Sequence, residues 1–106
     1  MVSFESYREW ALSFPDTVQA PHFDLISFRT RKKIFATYWP KQNRAMLKLP
    51  LADQSVFCDY DPAVFFPVPN AWGKKGATFV ELSKVKKTVF REALELAYKR
   101  AFGSHR

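Results

Sequence analysis

Two histidines, His22 and His105, and one cysteine, Cys58, are the only imidazoles and the only thiol in this chain of 106 residues. Nucleophilic or acid–base chemistry needs a nucleophile beside a base, or a pair of converging carboxylates. His105 falls in a tail expected to fray, which leaves His22, between Pro21 and Phe23, as the one imidazole base. That setting suits a structural or exposed histidine better than a catalytic one. Cys58 has no histidine at useful spacing and reads as a small, half-buried side chain. No glycine-rich phosphate loop opens a helix, and no triad order occurs. Asp53, Asp59 and Asp61 are the candidates for a hard-cation site, but Asp59 and Asp61 flank Tyr60 and need not converge. These residue types point away from an enzyme, a bound metal and a cofactor.

The basic residues have more to offer. The net charge is +7, and it is unevenly distributed. Residues 21–50 carry seven basic and one acidic group, and residues 71–106 carry nine and three. Residues 51–70 carry three acidic groups and no basic one. Arg29, Arg31, Lys32 and Lys33 cluster at a turn between two strand-like segments, and Lys74-Lys75 lie between Gly73 and Gly76. Two basic hairpin tips of this kind would act as wings that contact phosphates, with Arg44 and Lys48 extending the surface. Trp39 and Trp72 are available to stack on bases. Against this, lysine on sheet edges also guards against aggregation. Lys84, Lys86 and Lys87 gather near the start of the last helix, where the dipole favours an anion.

The elements that must position these groups follow from local pattern. Ser3 is an N-cap and Val2 a staple for a helix ending near Phe14. Phe4, Tyr7, Ala11 and Phe14 give it an apolar face, and Pro15-Asp16 stops it. Three strands follow in an antiparallel meander. The first alternates at Ile26, Phe28 and Thr30, the second runs over residues 33–39, and the third alternates at Ala45, Leu47 and Leu49. Leu51–Tyr60 reads as a short helix with Val56 and Phe57 turned inward. After a strand at Thr78–Leu82 the chain ends in its strongest helix, from about Val85 to Phe102, with Gly103 as its C′ residue.

The segment from Phe65 to Gly76, FFPVPNAWGKKG, reads as a shaped loop. Pro67 and Pro69 fix the backbone and remove donors, Gly73 and Gly76 permit a tight turn, and Trp72 shapes the loop between them. One domain over residues 1–106 is expected, since the chain is long enough for a single core and 47% hydrophobic. The order of elements gives an α+β, two-layer sandwich, an antiparallel sheet with helices packed on one face. With one cysteine, no apolar run long enough for a membrane span and no secretory pattern at the start, a cytoplasmic protein without a membrane partner is expected.

Several positions together resemble the MmcQ/YjbR-like family of small bacterial proteins. They are His22-Phe23, Ser27-Phe28-Arg29, residues 33–37, Pro67-Val68-Pro69, Trp72 to Gly76, Thr78, and Ala97-Tyr98 in the last helix. The departures are Ala77, where the family usually has tryptophan, and Gln19, where an acidic residue is common. The resemblance implies a CyaY-like sandwich, related in fold to frataxins, no established reaction, and a suggested role in DNA binding through a double-wing surface. Residues and resemblance together give a non-enzymatic basic module that binds DNA or another polyanion. The alternative is a protein-interaction or small-ligand module that uses the Phe65–Gly76 segment.

Overall fold

The computed structural model describes residues 1–103, so the expectation for His105 lies outside the described residues. Helix α1 spans Phe4–Ser13, and the Ser3 side chain accepts the Ser6 N–H at 3.1 Å as its cap. Val2 is buried, and its N–H donates to the Leu82 carbonyl at 2.8 Å, which ties the start of the chain to the far end of the sheet. The Tyr7 hydroxyl crosses from α1 to donate to the Thr37 carbonyl at 2.8 Å. Burial pushes that phenol well above its usual range, so it remains a donor.

The strands are β1 (Thr17–His22), β2 (Leu25–Thr30), β3 (Lys33–Trp39), β4 (Arg44–Lys48), β5 (Phe65–Pro67) and β6 (Ala77–Glu81). Three more helices complete the chain: α2 (Leu51–Tyr60), α3 (Ala71–Lys74) and α4 (Lys87–Gly103). The sheet order is β1-β2-β3-β4-β6-β5, and every neighbouring pair is antiparallel. Helices α1, α2 and α4 cover one face, where Phe28, Phe35, Ala36, Leu47, Leu49, Phe90 and Leu94 are completely buried. A bulge at Phe28/Arg29 leaves Phe35 without an opposite partner, and both Phe35 and Ala36 reach this core. The other face carries a small second cluster of Met46, Ala77 and Phe79 with Trp39, Phe66 and Val68 against it. This is the α+β sandwich expected from the element order. No helix among the described residues is long and apolar enough to cross a membrane.

Four expectations need correction. A strand, β1, precedes the meander. It is an edge strand containing Pro21, which costs no ladder bond there, and its mixed composition hides it from pattern reading. The Phe65–Gly76 segment is no plain loop: it opens with edge strand β5 and closes with the single helical turn α3. Val56 is 63% exposed, and Gln54, three residues before Phe57 and on its face, turns inward in its place. Helix α4 still includes Gly103, which does not adopt the left-handed C′ geometry.

Candidate functional site

Sheet register decides where the basic groups meet. Thr30 pairs with Lys33, Lys48 with Ala77, and Pro67 with Thr78, so all these strand ends lie at one end of the sheet. The β2–β3 turn, Arg31-Lys32, and the β5–β6 connection carrying Lys74 and Lys75 therefore project from the same end. Lys48, at the end of β4, lies between them. The last turns of α4 arrive there too, where Arg100 donates to the Lys75 carbonyl at 3.4 Å.

The expected phosphate contacts are not equivalent. Lys32, Lys33, Lys74 and Lys75 are exposed. Arg31 is engaged within the protein: its guanidinium sits 3.7 Å from the centre of the Phe102 ring and 4.0 Å from Asp16. It fastens the hairpin tip to α4. Arg29 lies on the open sheet face, where it donates to Ser27 Oγ at 3.0 Å and to the Pro21 carbonyl at 3.3 Å, bracing β1 against β2. Arg44 pairs with Glu81 at the opposite end of the β4–β6 ladder. Lys84, Lys86 and Lys87 share that opposite end, beside the start of α4, and do not join the rim. The acidic residues of α2 form no cluster, and among the described residues no group of three His, Cys, Asp or Glu side chains could hold a metal ion.

The β5–β6 connection is held by backbone fit and one side chain. A Cβ on Gly73 would stand 1.9 Å from the Val68 carbonyl oxygen. Gly76 has φ +112°, and a Cβ there would stand 2.0 Å from the Leu49 carbonyl oxygen. Pro67 ends β5, and after Pro69 the Asn70 side chain caps α3 by accepting the Trp72 N–H at 2.8 Å. From α2, the buried Gln54 amide donates towards the Gly73 carbonyl, the Ala77 carbonyl and Thr78 Oγ1 at 2.9, 3.2 and 3.1 Å. Glutamine in a short helix is too common for the sequence to single it out. Trp72 stays 58% exposed, so its ring is not a packing anchor.

Trp72 instead overhangs the open sheet face. A cleft of about 490 Å³ lies there. Thr37, Trp39, Met46, Lys48 and Ala77 line it from the central strands, His22, Phe23 and Leu25 from the β1–β2 hairpin, and Val68, Asn70 and Trp72 from the β5–β6 connection. Lys48 Nζ stands 5.7 Å and Lys75 Nζ 5.4 Å from the centre of the Trp72 ring. Burial first, and Arg100 second, hold the Lys48 ammonium below its usual range. His22, the one candidate base, is half-buried at the rim of this cleft, with its ring against Phe23. His22 ends β1 and Phe23 opens the two-residue turn to β2, a placement that only the β1 strand decides.

A six-stranded antiparallel sheet with helices on one face and lysines gathered at one end defines a small α+β sandwich with a basic rim. The chain belongs to the YjbR family, whose model matches residues 12–100. The fold is also that of the crystal structure of Deinococcus radiodurans protein DR2400, described by the family domain DUF419. That likeness has a TM-score of 0.86 at 19% identity and covers 100% of this chain and 83% of the other. No match was found among curated proteins.

Proposed function

We propose that this protein is a non-catalytic nucleic-acid-binding module whose basic sheet end contacts the phosphate backbone. The observation that carries the reading is the register: it brings the Arg31-Lys32 turn and the Lys74-Lys75 connection to the same end of one rigid sheet. Lys32, Lys33, Lys74 and Lys75 are the contacts, and each adds a sequence-independent attraction that depends on salt. Arg31 and Arg29 act through position, since both are bound to the protein's own groups. Lys48 faces the sheet rather than the rim and contributes to the field more than to contact.

The test is fluorescence anisotropy of labelled duplex and single-stranded DNA across a salt series, with heparin as the polyanion control. Binding that weakens steeply with salt, and prefers DNA to heparin, is expected. Changing Lys74 and Lys75 to alanine together should lower the slope of log K against log salt by about 1.8, two lost phosphate contacts at about 0.9 each. Absence of binding at low salt, or a slope unchanged in the double variant, would overturn the reading.

A further inference from the structure

The open-face cleft adjoins the rim but is lined by other residues than its four exposed lysines. Its walls leave apolar groups uncovered: Phe23 is 92% exposed and Trp72 58%. Its volume of about 490 Å³ falls in the range of sites that enclose small organic ligands. The floor between the walls is apolar, with Met46 and Ala77 nearly inaccessible and Ile34 beside them. Such a cleft holds the body of a ligand by burying its apolar surface.

Charge narrows the class of ligand. No aspartate or glutamate lines the cleft, and Lys48 is its one lysine. That ammonium is half-buried, stands against the Trp72 face, and has no carboxylate partner among the described residues. Its charged neighbours, Lys75 and Arg100, add positive potential instead of cancelling it. A cation drawn partly out of water and left without a counter-ion favours an anion beside it. Among the other polar groups of the lining, Trp39 Nε1 donates to Thr37 Oγ1 at 3.0 Å, and Asn70 Oδ1 accepts the Trp72 N–H at 2.8 Å. An apolar ring needs no polar partner from the floor of this cleft.

From this arrangement we infer that the cleft is a binding site for a small aromatic carboxylate, its ring on the apolar floor beside Trp72 and its carboxylate against Lys48. Stacking on Trp72 and pairing with Lys48 act on two ends of one molecule, so neither an inorganic anion nor a neutral ring would use the whole site. The inference does not rest on the nucleic-acid reading, which concerns the sheet end and can fail without affecting this one.

Calorimetry with 2-naphthoate and its neutral isostere 2-naphthamide tests it, with tryptophan fluorescence as a second signal because Trp39 and Trp72 both line the cleft. On the unaltered protein, naphthoate is expected to bind at least about tenfold more tightly than naphthamide, as one charge-assisted contact allows. Lys48→Met should abolish that preference, because naphthoate loses far more affinity than naphthamide. Trp72→Ala should weaken both ligands, and near-UV circular dichroism checks that each variant keeps its packing. Equal affinity for the two ligands, a preference that survives Lys48→Met, or no binding of either at millimolar concentration would each overturn the inference.

Discussion

Replacing Gln54 by leucine isolates the side chain that pins the β5–β6 connection. Leucine fills nearly the same volume but has no donor. The Gln54 amide supplies two N–H groups to three acceptors, and each acceptor has another bond to fall back on. The Gly73 carbonyl also receives the Gly76 N–H at 3.1 Å, and the Ala77 carbonyl the Val68 N–H at 3.0 Å. Thr78 Oγ1 still donates to the Gly76 carbonyl at 2.9 Å. No carbonyl is therefore orphaned, and the loss is that of two net hydrogen bonds, about 1–3 kcal/mol. The more apolar side chain offsets part of this, so a destabilisation of about 1–2 kcal/mol is expected. Urea unfolding should show a lower midpoint at unchanged slope. Amide exchange should accelerate at Gly76 more than in the core strands, because the Gly73–Gly76 turn loses its brace. An unchanged midpoint would mean that the amide does not pin the connection. A loss beyond about 4 kcal/mol would mean that buried carbonyls had been stranded after all.

Three other predictions concern single residues. Arg31 and Lys32 both adopt positive φ, 50° and 68°, in a two-residue turn that glycine would occupy without strain. Lys32→Gly should stabilise the fold by up to about 1 kcal/mol in thermal unfolding, and a destabilised variant would contradict the strain. Burial, and then Asp59, push the Cys58 thiol above its ordinary value. Its reaction with an aromatic disulfide reagent at mildly alkaline pH should be slower in the native protein than in urea; equal rates would refute this. The Lys48 ammonium is held below the ordinary lysine value of 10.5, so between the two values the unfolded chain binds more protons than the native one. Stability must then rise with pH through that window. The unaltered protein should gain on Lys48→Met as pH climbs from neutrality towards 10.5, and parallel pH profiles would exclude the effect.

Local pattern determined much of this protein. Ser3, Tyr7 and Ala11 mark α1 because capping and a helical repeat act within a few residues of one another. The alternation of Ala45, Leu47 and Leu49 against Met46 and Lys48 likewise assigns the two faces of β4, since successive side chains in a strand must point opposite ways. The long apolar face of α4 is legible for the same reason. The family resemblance was also carried by short motifs, Trp72 to Gly76 above all. What the tertiary structure alone decided depends on partners distant in the chain. β1 exists because β2 offers it a ladder, not because its residues favour a strand. Gln54 matters because the crossover places α2 beneath the β5–β6 connection. Arg31 was expected at a phosphate; α4 brings Phe102, and the pairing of β1 with β2 brings Asp16, within its reach. Lys48 and Trp72, 24 positions apart, share one cleft because the β4–β6 register and the turn of α3 bring them together. Composition records how much charge and apolar surface a chain has; only the closed sheet determines which charges end at its rim and which are left against an aromatic ring.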